Sequence, residues 1–159
     1  MKSTTFNKNK ILKYTFIFYI LFLFNFIAIK FFGDFSALSR RIDINLINRK
    51  IDLWNINLIP FKSIEMAYHS YKQFGVINND SLGLIFNIVV FLPLGFLSPY
   101  IFKKTFIKQL LFFLLIIIAI EGFQFVTLLG IADIDDVILN MTGSVLGYLI
   151  YKVTRSRFN

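Results

Sequence analysis

The chain contains no cysteine and a single histidine. Without cysteine it can form no disulfide, no thiolate metal site and no thiol nucleophile. The histidine, His69, lies off the apolar stripe of the helix predicted around it, which favours a solvated or headgroup-facing position over a catalytic one. The sequence also lacks a Gly-rich phosphate loop, a metalloprotease helix and a nucleophile elbow. Any functional site must therefore be built from the remaining polar residues.

Charged residues are scarce as well. They make up 16% of the chain, and 57% of its residues are apolar, whereas an ordinary soluble domain has about 25% charged and about 45–50% apolar residues. The mean hydropathy is +0.68. This composition predicts an integral membrane protein. A chain of 159 residues holds only a few spans of about 20 residues each, with no room for a separate soluble enzyme module.

Long apolar runs predict an all-α membrane protein with four transmembrane helices. The first run follows several lysines, so a cleavable signal peptide is the alternative interpretation. That run is too long for a signal peptide, and no small-x-small cleavage site follows it. We therefore predict a single membrane domain over residues 1–159. Its predicted helices cover residues 11–32, 82–101, 110–129 and 136–153.

Acidic residues are absent from three segments that flank these helices. The N-terminus, the turn at residues 103–108 and the tail from residue 152 carry ten basic residues and no acid. By the positive-inside rule, their common side is the cytoplasm. Abundant Phe, Ile, Asn and Lys are typical of an AT-rich bacterial genome, so we expect a bacterial inner-membrane protein with both termini cytoplasmic. The net charge of +8 then reflects topology and contact with anionic membrane lipid, and we expect no nucleic-acid partner.

The predicted extracytoplasmic segment, residues 33–81, carries two local patterns. Apolar and polar residues alternate over residues 42–58, with a turn at residues 48–50, and this alternation predicts a short β-hairpin. Pro60 ends the alternation, and apolar residues then recur at helical spacing over residues 63–74. We expect a short helix there, lying at the level of the lipid headgroups.

Four polar side chains lie within the predicted spans at a similar depth. With a rise of 1.5 Å per residue, each is about 6–12 Å below the outer end of its helix. Glu121 and Gln124 share one face of the third helix, and Asn140 shares a face of the fourth with the acids that begin it. These faces can meet in the outer leaflet. The polar layer so defined comprises Asn87, Glu121, Gln124 and Asn140.

Three carboxylates, which we call the acidic turn, precede the fourth apolar run: Asp133, Asp135 and Asp136. Helix capping can explain Asp133 and Asp136 but not Asp135. A charge near the bilayer centre costs about 2.5–3.5 kcal/mol, so Glu121 should face the bundle interior, as part of a site or as a neutral packing residue. We predict a ligand site formed by the polar layer and the acidic turn, with Glu121, Asp135 and Asp136 as candidates for acid–base catalysis. Oxygen ligands from the three aspartates would suit Mg²⁺ or Ca²⁺.

Small residues in two of the spans predict how the helices pack. Gly143 and Gly147 are four residues apart, a spacing that leaves a groove for close helix contact. Pro93 and Gly95 in the second span predict a kink. We interpret these residues as structural.

Three segments, in this order and spacing, resemble the VanZ-like family of small bacterial membrane proteins. The resemblance covers about residues 55–150. It implies a multi-span membrane protein whose presence can lower sensitivity to teicoplanin-type glycopeptide antibiotics, and it implies no agreed catalytic mechanism. The segments that carry it are Asn57-Leu58-Ile59-Pro60-Phe61, Asn87-Ile88-Val89-Val90-Phe91-Leu92-Pro93-Leu94-Gly95-Phe96, and Glu121-Gly122-Phe123-Gln124 followed by Asp133-Ile134-Asp135-Asp136 with Asn140, Gly143 and Gly147.

Three functions remain open at this point. The leading hypothesis is a cell-envelope protein that engages a lipid-linked cell-wall precursor, a glycopeptide or another headgroup-bearing ligand at the outer leaflet. The second is a membrane enzyme acting on an envelope lipid, with Glu121 and the acidic turn as acid, base or metal ligands. The third is a scaffold or accessory subunit whose polar groups only specify helix packing.

Overall fold

The computed structural model describes residues 8–29, 34–75 and 79–157. The chain is mainly helical there, with two short strands. A π-helical stretch, Phe24–Ile29, directly continues the first helix. The elements are α1 (Lys8–Leu23), α2 (Phe35–Lys50), β1 (Ile56–Asn57), α3 (Lys62–Phe74), α4 (Asn79–Phe102), α5 (Phe106–Thr127), β2 (Ala132–Asp133) and α6 (Ile134–Arg157).

Within residues 8–29, 34–75 and 79–157, four helical segments are long and apolar enough to cross a membrane, which confirms the predicted multi-pass architecture. The third predicted span is α5, which begins at Phe106, four residues before its predicted start. The fourth predicted span is α6, which begins at Ile134. The predicted end of the first span falls on residues 30–32, outside the described residues. The membrane-length segments are Lys10–Ile27, Ser81–Phe102, Phe106–Thr127 and Ile134–Ser156.

Helices α4 and α6 pack so closely that their backbones nearly touch. A Cβ atom at Gly143 would lie 2.1 Å from the carbonyl oxygen of Ile88, and one at Gly147 would lie 2.0 Å from that of Leu92. Gly95 on α4 meets the α6 backbone in the same way. Only glycine fits at such a contact, so the predicted packing role of Gly143 and Gly147 is confirmed.

The apolar core lies between the first span, α4, α5 and α6. Pro93 lies inside α4 and has no N–H to donate to the carbonyl of Val89. Next to it, the hydroxyl of Tyr19 donates a hydrogen bond to the carbonyl oxygen of Val90 at 2.8 Å. The first span therefore supports α4 near its proline. The fully buried apolar residues of the core include Leu23, Phe91, Leu94, Phe113 and Ile117.

The predicted β-hairpin is wrong, because residues 35–50 form helix α2. Asp34 caps this helix by accepting hydrogen bonds from the amides of Ser36 and Ala37, at 2.9 and 3.1 Å. The Ser36 hydroxyl, and then the Ala37 amide, lower the pKa of Asp34. The contribution of the cap is therefore present at neutral pH and is lost as the pH falls through that lowered pKa. A helix satisfies its backbone within one segment, whereas an isolated two-stranded hairpin is marginal.

A two-residue stretch of the predicted hairpin is extended, but its partner is distant in sequence. Strand β1 pairs in parallel with β2, which places Ile56 opposite Ala132 and Asn57 opposite Asp133. The segment that connects the first span to α4 is thereby attached to the start of α6.

The helix predicted after Pro60 is confirmed as α3. Ala67 faces the protein and is 3% exposed, whereas Tyr68, Tyr71 and Phe74 are all more than half exposed. Such exposed aromatic side chains suit the headgroup zone of a membrane. The position of α3 at that depth stays a prediction.

We predict that Gly147→Leu destabilises the protein by about 1–3 kcal/mol or more, because its side chain must separate α4 from α6. Thermal unfolding in detergent measures the effect. Gly122→Leu is the matched control, since a Cβ at Gly122 meets nothing within 4 Å. Equal transition temperatures for the two variants would contradict the close packing.

Candidate functional site

The carboxylate of Asp135 is fully buried and binds the N-terminus of α3. Its oxygens accept hydrogen bonds from the amides of Phe61, Ser63 and Ile64, at 2.5, 2.7 and 3.3 Å. Phe61 occupies the N-cap position with a left-handed backbone and provides no side-chain cap. Free amides and the positive end of the helix dipole favour a carboxylate there. Asp135, a residue of the acidic turn, therefore caps α3 although it is more than 70 positions away in the sequence.

Asp133, the first aspartate of the turn, connects three parts of the chain. Its carboxylate accepts hydrogen bonds from the Ser63 hydroxyl at 2.5 Å and the Asn57 amide at 3.1 Å. It also accepts a hydrogen bond from the backbone N–H of Asp135 at 2.9 Å, which is the N-cap interaction of α6. The capping role predicted for Asp133 is confirmed, and a cross-link to the loop before α3 is added to it.

Glu121 and Asn87 hold the acidic turn from the neighbouring helices. Glu121 is 5% exposed, and its Oε2 accepts a hydrogen bond from the backbone N–H of Asp133 at 3.1 Å. The Asn87 side chain on α4 donates a short hydrogen bond to Asp136. The structure thus brings together five of the seven predicted site residues: Asn87, Glu121, Asp133, Asp135 and Asp136.

The other two predicted site residues are placed elsewhere. Gln124 is buried and donates to the carbonyl oxygen of Ile27 at 2.9 Å, so it attaches α5 to the first span. Asn140 is fully buried within α6. Among the described residues its side-chain amide has no hydrogen-bond partner. Both residues lie on the helix faces that the sequence predicted, but they point into the helix packing.

Arg49 stabilises the loop beside the site, although the alternating sequence pattern predicted a hairpin turn at this position. Its guanidinium donates to Asn55 Oδ1 at 2.6 and 2.9 Å and to the carbonyl oxygen of Phe125 at 2.6 Å. It also lies over the rings of Trp54 and Phe125, 5.2 and 4.8 Å from their centroids. The Asn55 side chain in turn donates to the carbonyl of Gly130 at 2.9 Å. The contacts with Phe125 and Gly130 join residues about 75 positions apart, so no local pattern could reveal them.

Two cavities flank the acidic turn, and Asp133 and Asp136 line both of them. The α3/α4 cavity has a volume of about 360 Å³. The α2 cavity has a volume of about 390 Å³. The α3/α4 cavity is lined by Ser63, Met66, Gly83, Leu84 and Asn87, and the α2 cavity by Arg41, Ile44, Asn45, Leu129, Gly130 and Ile131.

The metal site that the sequence suggested at the three aspartates stays a prediction. In the described part of the chain, no group of three or more His, Cys, Asp or Glu residues is arranged to hold a metal ion. Both oxygens of Asp135 accept backbone hydrogen bonds from α3 and its N-cap. Asp133 and Asp136 are the carboxylates of the turn that face cavities.

We predict that Asp135→Ala destabilises the protein by about 1–3 kcal/mol for each buried amide that is left without an acceptor. Thermal unfolding in detergent measures this loss, and amide hydrogen exchange at residues 61–64 should accelerate. Asp43→Ala is the control, because Asp43 is an exposed aspartate on α2. Slow exchange at residues 61–64 in the Asp135 variant would contradict the capping role.

Comparison with known proteins identifies the family. A family model described as VanZ/LLP1 matches residues 16–155. The curated protein named Protein VanZ, from Enterococcus faecium, is 34% identical over 77 residues, which are 48% of this chain and 48% of that protein. The match therefore spans about half the length of this relative. No solved structure gives a significant match. The chain, with its four membrane-length helices and its family motifs joined at the acidic turn, belongs to the VanZ/LLP1 family.

Proposed function

We propose that this chain is a bacterial inner-membrane protein that holds the polar headgroup of an envelope ligand at the outer leaflet. The observation that carries the proposal is the different burial of the three aspartates in the acidic turn. Asp135 is buried under α3, whereas Asp133 and Asp136 are partly exposed and each line two cavities. A turn needed for helix capping alone has no requirement for carboxylates on cavity walls.

The cavity walls favour a ligand rich in hydroxyl, amide or amine groups. Asp133, Asp136 and Asn87 offer oxygen acceptors, and the Ser63 hydroxyl, which donates its proton to Asp133, can also accept. Two carboxylates repel a bare phosphate, so a sugar or amino headgroup is the better match. Apolar residues such as Met66 line the same cavity, which suits a ligand that also carries a lipid chain.

The size of each cavity fits a headgroup. Each volume falls at the lower end of the range of about 300–1,000 Å³ that is typical of small-molecule sites. Arg41 lines the α2 cavity together with Asp133 and Asp136, so that cavity presents both signs of charge to a ligand. A zwitterionic or peptide-bearing headgroup would complement such a wall.

The outward position of the site follows from charge asymmetry. The basic segments at residues 103–108 and 152–157 lie at the opposite end of α4, α5 and α6 from the acidic turn. The positive-inside rule assigns the basic end to the cytoplasm. The connecting segment with α2 and α3 is then extracytoplasmic. Lipid-linked cell-wall precursors and glycopeptide antibiotics meet the membrane on that side.

We predict that Asp136→Ala and Asn87→Ala abolish any protection against teicoplanin-type glycopeptides, because they remove cavity-lining polar groups. Susceptibility is measured in a deletion strain that carries each variant, with the membrane level of each protein checked. Asp43→Ala, on the exposed face of α2, is the control and should behave like the wild type. Full protection by both cavity variants at wild-type levels would refute the proposal.

Glu121→Gln separates ligand binding from catalysis and from a scaffold role. Glutamine keeps an oxygen acceptor for the N–H of Asp133, so we expect the variant to fold and to bind a lipid-linked precursor as the wild type does, without turnover by either protein. Binding is measured by titration of purified protein, and products are analysed by mass spectrometry. Turnover that is lost in the variant would instead establish acid–base catalysis.

Repeating the titration with Mg²⁺ and with EDTA tests whether a divalent cation joins Asp133 and Asp136 when the ligand binds. Unfolding of the Glu121→Gln variant in the absence of ligand would favour the scaffold role.

A further inference from the structure

A third cavity, at the end of the bundle opposite the acidic turn, is strongly basic. Its volume is about 550 Å³. It lies between the turn that joins α4 to α5 and the last turns of α6. Its wall includes four basic and two tyrosine side chains, which are Lys103, Lys104, Lys152, Arg155, Tyr148 and Tyr151. Four cations thus surround one cavity, and none of its lining residues is acidic.

Two of the four cations at this cavity, Lys104 and Arg155, lie against aromatic rings. Arg155 donates a hydrogen bond to the hydroxyl of Tyr151 at 2.6 Å and lies 5.9 Å from the centroid of that ring. Tyr151 is itself 6% exposed, so the position of Arg155 is set by a buried residue. The ammonium of Lys104 lies 5.3 Å from the centroid of Phe102 and 5.1 Å from that of Phe112. Cation–π contacts orient a cation without neutralising its charge.

No acidic side chain in the described residues forms an ion pair with the cations of this cavity. The sequence itself has no Asp or Glu in residues 82–120 or 137–159. The C-terminal ends of α4 and α6 provide partial negative charge, which offsets only part of the repulsion among four cations. In the described part of the chain, the cavity therefore has no acidic side chain of its own.

An adjacent smaller cavity extends the basic surface. Its volume is about 220 Å³, and it is lined by Lys13, Tyr100 and Lys103 among others. Lys103 lines both cavities. Its backbone is left-handed, with φ of 40°, so the turn holds this lysine in a conformation that a non-glycine residue rarely adopts.

We propose that the basic cavity is a discrete binding site for the phosphate of an anionic lipid headgroup. The cavity lies at the ends of membrane-length helices, where headgroups are found, and tyrosines form part of its wall. Basic pockets between transmembrane helices are a recurring way to bind such lipids. A bound lipid would join the α4–α5 turn to the last turns of α6.

The test compares two double variants with the same change of net charge. Lys152→Gln with Arg155→Gln removes cations of the cavity, and Lys62→Gln with Lys72→Gln removes exposed cations on α3, at the other end. Binding of phosphatidylglycerol and of phosphatidylcholine to the full chain in detergent is measured by native mass spectrometry. We expect about a tenfold or greater loss of phosphatidylglycerol affinity in the cavity variant and little change in the α3 variant.

Three outcomes would overturn the proposal. Equal losses in the two double variants would mean general charge attraction, and equal binding of both lipids by the wild type would mean that the net negative charge of the headgroup is not recognised. Inorganic phosphate or pyrophosphate that binds the cavity when phosphatidylglycerol does not would assign it to a soluble phosphate compound. Arg155→Lys provides the folding check. It should keep the thermal stability and most of the lipid binding, because it keeps the charge.

Discussion

The contact between the Asp135 carboxylate and the N-terminus of α3 is the interaction on which the functional end of this protein depends. A buried carboxylate is costly unless its oxygens accept hydrogen bonds, and free amides at a buried helix start are costly unless they find an acceptor. Here the amides donate to the Asp135 carboxylate, so both groups are hydrogen-bonded. The contact also places the loop after β1 on α6, and Asp133, Asn57 and Ser63 complete that attachment.

This arrangement brings the three segments that resemble the family into contact. The Asn57 segment provides the amides, the acidic turn provides the carboxylates, and α4 and α5 hold the turn through Asn87 and Glu121. Close packing of α4 on α6 through Gly143 and Gly147 keeps the register between them. A cavity lies on each side of the turn, and Asp133 and Asp136 line both cavities.

Much of the site could be predicted from particular residues, and the errors have physical causes. Glu121 and the acidic turn were recognisable because carboxylates beside an apolar run demand partners. Helical spacing placed Gln124 and Asn140 on the right faces, but depth along a helix does not reveal which neighbour a side chain meets. Arg49 was missed because its guanidinium joins Asn55 to Phe125 on α5, which is 76 positions away in the sequence.

The sequence by itself determined the membrane character, the four spans and the small-residue contact between helices, because hydropathy and residue size act locally along the chain. Alternation over residues 42–58 was misleading, since a run of that length is compatible with helix as well as strand and tertiary contacts decide between them. Only the tertiary structure decided which aspartate caps α3 and which two face cavities. Those roles depend on residues about 70 positions apart, whose proximity is set by the packing of the whole bundle.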